Sequence, residues 1–149
     1  MSIPGPEDIT RHELPNGIVV LVRENHSGPS VVTSGYLRVG AYDEPSERAG
    51  LAAFTASALL RGTARRSFEH IFEELESVGA NARIGSGVHS TGFGAKSLAE
   101  DLPLVLDILA DGLRQPTFPD AEVEKLRGLQ IGTVLAVDGL VKEEPRAPG

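Results

Sequence analysis

The most constraining feature of this 149-residue chain is an apolar run between Gly50 and Thr63. Alanine, leucine and phenylalanine dominate the run, and neither proline nor glycine interrupts it between Leu51 and Arg61. A run of strong helix formers of this length predicts an α-helix. Because the run is apolar on nearly every side, we expect this central helix to be buried on most of its faces. The run is too short and too rich in small polar residues to span a bilayer.

Composition and charge restrict the class of protein. A length of 149 residues allows one domain with a sizeable core. The chain has 40% hydrophobic and 23% charged residues, which is ordinary for a globular protein. The net charge of -7 disfavours nucleic acid and anionic membranes as partners. The chain has no cysteine, which excludes disulfides and thiolate zinc sites. Residues 1–10 lack the apolar segment of a secretory signal, so we expect a cytoplasmic location.

Short strands separated by turn residues are predicted outside the central helix. Four runs have strand-like composition: 18–23, 31–39, 81–84 and 88–95. Asn16 and Gly17 tolerate positive φ and predict the turn before the first strand. Glycine-rich residues 85–87 predict the turn between the last two strands, which then form a hairpin. We expect residues 1–13 to be a flexible lead-in and 141–149 a tail.

Further helices are predicted from capping signals and apolar periodicity. Start signals for the central helix stand at Pro45, Ser46 and Glu47. A second helix is predicted from an N-cap at Ser67 to a terminating Gly79. A third follows a capping box at 97–100, and a last helix begins at Asp120. These elements predict one α+β domain, in which a mostly antiparallel sheet carries helices packed largely on one face.

The residues of the apolar run also carry a resemblance to a known family. The pattern from Gly50 to Thr63 reads Gly-Leu-Ala-x-Phe-x-x-x-x-Leu-x-x-Gly-Thr and resembles the central helix of the M16 zinc metallopeptidases. Further similarities lie at Leu-Pro-Asn-Gly over 14–17, in the segment 40–45 and in the Asn-Ala pair over 81–82. The resemblance covers about 14–140 and implies the N-terminal part of one M16 domain, incomplete relative to the family's half-unit.

The chemical positions of the family's zinc motif carry no ligand here. Active members have His-x-x-Glu-His on this helix, in which the histidines bind zinc and the glutamate is the general base. A third ligand, a glutamate, lies about 76 residues further on in the family. The matching positions are Ala53, Ala56, Ser57 and Thr133. Neutral hydroxyls are poor zinc ligands beside imidazole or carboxylate, so the resemblance implies no catalytic residue, metal or cofactor.

The resemblance implies a function without chemistry of its own. We expect an inactive subunit that pairs with an active M16 subunit, or with a second M16 half, to close a chamber around a peptide. The chain would then be a hetero- or homo-oligomer and not an enzyme by itself. The alternative is a stand-alone binding or scaffolding domain with no peptidase partner.

A site outside the family's motif is the third hypothesis. His70 and Glu74 have the i,i+4 spacing of metal ligands on the second helix. They lie on the face opposite its apolar stripe, which favours an ordinary surface pair. The remaining histidines have no partner at motif spacing: His12, His26 and His89.

Overall fold

The structure is a computed structural model that describes residues 5–129. Thr133 and the tail over 141–149 therefore lie outside the described residues. The strands are β1 (Thr10–Glu13), β2 (Val19–Val22), β3 (Ser30–Leu37), β4 (Asn81–Ser86) and β5 (Thr91–Leu98). The helices are α1 (Leu51–Ala58), α2 (Phe68–Ser77), α3 (Leu102–Arg114) and α4 (120–129 of the described chain).

Within residues 5–129 the strands form two separate antiparallel sheets. Strands β1 and β2 pair as a two-stranded sheet around the predicted turn, where Gly17 has a φ of 85°. The amide of Ile18 donates to the side-chain oxygen of Asn16 at 3.2 Å, which fixes this turn. The expected flexible lead-in is wrong for Thr10–Glu13, which form β1. Their polar sequence has no apolar alternation, and only the backbone pairing with β2 makes them a strand.

The second sheet and the helices form the core. Its strand order is β3-β5-β4, with Thr33, Ala95 and Ala82 in one row across the sheet. The core residues are Ile71 and Leu75 of α2, Ala95 of β5, and Val105, Ile108 and Leu109 of α3. The α+β prediction, with an antiparallel sheet and helices on one face, is confirmed. Over residues 5–129, no helix is long and apolar enough to cross a membrane.

The central helix is less buried than its composition predicts. Within α1 only Ala56 and Ala58 are buried, whereas Leu51, Ala53 and Ser57 are exposed. The expectation of burial on most sides is therefore wrong. An apolar sequence permits burial, but neighbouring elements decide which faces are covered. The centre of the core lies on α3 instead, where Val105 and Ile108 are completely inaccessible to solvent.

Local signals predicted α2 correctly but misplaced two boundaries. The side chain of Ser67 accepts from the amide of His70, and Gly79 has a φ of 61° just after the helix. The predicted turn over 85–87 is shifted, because β4 runs through Ser86 and the turn covers 87–90. The predicted capping box is wrong because Ser97 belongs to β5 and donates its hydroxyl to the Leu98 carbonyl.

Candidate functional site

The N-terminus of α1 is capped by a carboxylate from several residues upstream. Glu44 accepts from the amides of Gly50 and Ala52, each at 2.7 Å. Gly50 has a φ of 93°, a conformation that favours glycine. The expected start signals at 45–47 are not the cap, since Ser46–Arg48 form a separate short 3-10 helix. Glu44 thus places the helix that resembles a zinc-binding helix at the end of β3.

Two of the motif positions share the exposed face of α1. Ala53 and Ser57 lie one helical turn apart, and both side chains are exposed. The hydroxyl of Ser57 donates to the backbone carbonyl of Ala53 at 2.9 Å. This face therefore has the spacing for two metal ligands. It presents only the methyl group of Ala53 and the hydroxyl of Ser57, which is already hydrogen-bonded.

The third motif position lies in an apolar groove. Ala56 is only 4% exposed and lines a cavity of about 260 Å³ between α1 and the end of β3. Leucine, valine and proline side chains supply most of the other walls: Leu37, Val39, Pro45, Leu51 and Leu59. The two carboxylates at its rim are already bonded, because Asp43 accepts from the Gly40 amide and Glu44 caps α1. The groove can hold an apolar group and offers little to a metal ion.

Zinc does not fit the residues present on α1. A catalytic zinc site needs three protein ligands and an open position for water. Ala53 and Ala56 have no donor atom, and the hydroxyl of Ser57 is engaged with the helix backbone. Throughout residues 5–129, no group of three or more His, Cys, Asp or Glu side chains could hold a metal ion. Thr133, the fourth position, lies outside this range.

The alternative pair on α2 belongs to an ion-pair network. His70 Nε2 lies 3.4 Å from one oxygen of Glu74, while the other oxygen accepts from Arg66 at 2.7 Å. His26 Nε2 lies 3.4 Å from the exposed Glu24, and the His89 ring stands 5.6 Å from the Tyr42 ring. These surroundings favour ordinary surface roles for the histidines.

The same network fixes the loop after α1 to α3. The hydroxyl of Thr63 donates to the buried Asp111 at 2.5 Å, and Arg65 and Arg66 each bond both Asp107 and Asp111. Burial of Asp111 opposes its ionisation, but hydrogen bonds from Thr63 and Arg65 outweigh burial and keep its pKa below the usual value. Hydrogen bonds from Arg65 and Arg66 lower the pKa of Asp107. These two arginines are thus engaged within the domain.

The fold and the helix α1 define the class of this chain as a metallopeptidase-type domain. Residues 19–139 match the sequence family described as Insulinase (Peptidase family M16). The chain therefore belongs to peptidase family M16.

Relatives of this chain include subunits of mitochondrial complexes. It is 28% identical to the Saccharomyces cerevisiae mitochondrial-processing peptidase subunit beta over 95% of this chain and 30% of that protein. It is 30% identical to the Rattus norvegicus subunit beta over 87% of this chain and 26% of that protein. Cytochrome b-c1 complex subunit 1 of Rattus norvegicus is 31% identical over 76% of this chain and 24% of that protein. The chain thus spans less than a third of these relatives.

Solved structures show the same fold. The peptidase M16 inactive domain from Pseudomonas fluorescens superposes with a TM-score of 0.77 at 20% identity, over 85% of this chain and 31% of that one. Pitrilysin superposes with a TM-score of 0.72 at 23% identity, over 80% of this chain and 13% of that one.

Proposed function

We propose that the chain is a catalytically inactive M16 domain. The supporting observation is that Ala53 and Ser57, which we align with the family's two histidines, share one exposed face of α1, with the Ser57 hydroxyl bonded to the helix backbone. The position of the general base, Ala56, lies in an apolar groove where a carboxylate would lose its hydration. The zinc-binding helix is thereby reduced to a structural element.

We also propose that the domain pairs with an active M16 subunit or with a second M16 half. Support comes from relatives that are named as subunits and from a structural neighbour described as an inactive domain. The active partner would hold zinc and cut, while this chain would supply one wall of a chamber around the peptide. Strands β3 and β4 stand at the edges of the described three-stranded sheet, where an extended peptide can add as a further strand.

The test is reconstitution. The 149-residue chain alone should hydrolyse none of a panel of fluorogenic peptides. Mixed with an active M16 chain, it should co-elute as a complex in size-exclusion chromatography and raise the activity of that partner. Peptide hydrolysis by the purified chain alone would contradict the proposal of inactivity.

A stand-alone binding or scaffolding domain is the alternative function. It predicts no complex with any active M16 chain and no change in the activity of that chain. The location is tested separately, because the relatives named above include mitochondrial proteins. Fractionation of cells that express the tagged full-length chain distinguishes the cytoplasmic location that we propose from a mitochondrial one.

A further inference from the structure

One face of the three-stranded sheet is left open within the described part of the chain. The helices cover the face that carries Ala82, Phe93 and Ala95. The opposite face forms a trough of about 580 Å³. Its three cross-strand rows are Val32–Lys96–Asn81, Ser34–Gly94–Arg83 and Tyr36–Gly92–Gly85. This open face is a surface on which no described element packs.

The charged side chains on the open face are all cationic. Arg83 and Lys96 line the trough, and no carboxylate does. Unlike Arg65 and Arg66, these two cations have no ion-pair or hydrogen-bond partner within residues 5–129. The side chain of Asn81 adds amide donors beside Lys96 and is likewise without a partner in this range. In a chain of net charge -7, the open face is therefore a local positive patch that is rich in donors.

The floor of the trough lacks side chains at two neighbouring outward positions of its central strand. Gly92 and Gly94 are these two positions, and Lys96 is the next outward residue of β5. A Cβ at Gly92 would come no closer than 3.9 Å to any neighbouring atom, so a side chain would fit there. Glycine inside a strand weakens the strand and often marks a place where another backbone approaches closely. At Gly92 the floor therefore has room for the backbone of an extended segment.

We propose that the open face binds an extended acidic peptide with carboxylates at alternate positions. Lys96 stands opposite Asn81, so Arg83 and Lys96 are diagonal neighbours, about 7–8 Å apart at their Cα atoms. Alternate side chains of an extended peptide are about 7 Å apart, which matches this spacing. A short acidic segment fits better than a long polyanion. The rest of this chain is acidic and would repel a polyanion that extends beyond the open face.

This inference rests on the proposed peptide-chamber function and names the class of peptide. Carboxylates at alternate positions would accept charge-assisted hydrogen bonds from Arg83 and Lys96. The peptide backbone would lie over Gly92, next to the side chain of Arg83, whose Nε is 3.8 Å from where a Cβ of Gly94 would stand.

The experiment measures fluorescence anisotropy of labelled hexapeptides with the full 149-residue chain. The probes are Glu-Thr-Glu-Thr-Glu-Thr and its matched Gln-Thr counterpart. The glutamate peptide should bind at low ionic strength, weaken with added salt, and bind at least about tenfold more tightly than the glutamine peptide. Equal binding of the two peptides, or tighter binding of a single-stranded oligonucleotide, would overturn the proposal.

Variants assign the binding to the open face. The double variant Arg83→Gln/Lys96→Gln should lose the preference for glutamate, and Gly92→Val should block both peptides by filling the floor. Arg114→Gln removes an exposed cation in the last turn of α3, which does not line the trough, and should leave binding unchanged. Thermal melts confirm that each variant is folded. Retained binding in both trough variants would overturn the assignment.

The zinc content of the same preparation separates the two proposals. Bound zinc would contradict the inactive-domain function whatever the peptide result. Absence of glutamate-dependent binding in a zinc-free chain would contradict only the acidic-peptide inference.

Discussion

The hydroxyl of Ser57 donates a hydrogen bond to the carbonyl oxygen of Ala53, 2.9 Å away and one turn earlier on the same helix. Both residues are exposed and share one face of α1, which we propose to be the face on which active M16 members place two histidines. The bond joins two residues of the same helix and does not depend on contacts with the rest of the fold. Residues on this face can therefore be exchanged with little consequence for folding, which makes the predicted motif positions accessible to mutation.

Restoring the two imidazoles should create a zinc site. In the double variant Ala53→His/Ser57→His, two exposed side chains at i and i+4 reach one metal ion. Isothermal titration calorimetry should show one zinc bound per chain, with affinity that falls as the pH drops below the histidine pKa of about 6.5. The single variant Ala53→His is the control and should bind far more weakly. A folded double variant that takes up no zinc would place the motif positions elsewhere.

The general-base position should be much less tolerant than the ligand positions. Ala56→Glu places a carboxylate in the apolar groove and should lower the free energy of unfolding by about 2 kcal/mol or more. Ala53→Glu is the matched control: it adds the same group to an exposed position on the same helix and should change stability by at most about 0.5 kcal/mol. Urea denaturation measures both. Equal stability of the two variants would contradict the burial of Ala56.

Removing the remote cap should destabilise the motif helix. Glu44→Ala leaves the amides of Gly50 and Ala52 without their acceptor and should cost about 1–2 kcal/mol of unfolding free energy. Glu44→Gln keeps acceptor capacity but loses the charge near the helix N-terminus, so its cost should be smaller. Glu100→Ala, at an exposed carboxylate, is the control and should be close to neutral. Wild-type stability of Glu44→Ala would exclude the capping role.

The aspartates that anchor the loop after α1 should make stability depend on pH. The pKa values of Asp107 and Asp111 are lower in the folded chain than their ordinary values. Their stabilisation is thus present above the unfolded pKa of about 3.9 and is lost as the pH falls from about 5 through the folded pKa. Urea denaturation from pH 7 to pH 3 should show this loss in the wild type.

The variant Asp111→Asn isolates the buried carboxylate. It should lower the unfolding free energy by about 3 kcal/mol at pH 7. The reason is that Arg66 then loses the negative charge of Asp111 and keeps only its other ion pairs. Its stability should also fall less steeply below pH 5 than that of the wild type. An unchanged slope would show that other carboxylates carry the acid sensitivity.

Local sequence signals sufficed where a structure is determined by neighbouring residues. Ser67 marks the start of α2 and Gly79 marks its end, as expected, because an N-cap and a positive-φ terminator act within one turn. The zinc-motif positions are inferred by spacing from the family's helix and stay a prediction, while the structure places Ala53 and Ser57 together on one exposed face. The central helix was the clearest feature of the sequence for the same reason.

The sequence is less informative where contacts between residues far apart in the chain determine the structure. Glu44 could not be recognised as the cap of α1, because its bonds reach six and eight residues along the chain through a short 3-10 turn. The burial of α1 was overestimated since composition does not say which faces have neighbours. The trough was also missed, because Arg83 and Lys96 are separated in sequence and meet only through the β4–β5 register.

The most direct test of the inactive-domain account is the zinc content of the purified chain. The 149-residue protein is incubated with excess zinc and dialysed extensively, and an active M16 peptidase is treated in parallel. Inductively coupled plasma mass spectrometry then measures the zinc bound per chain. The account predicts no stoichiometric zinc in this chain and about one ion per chain in the active control. One tightly held zinc per chain, lost on mutation of Ser57, would contradict it.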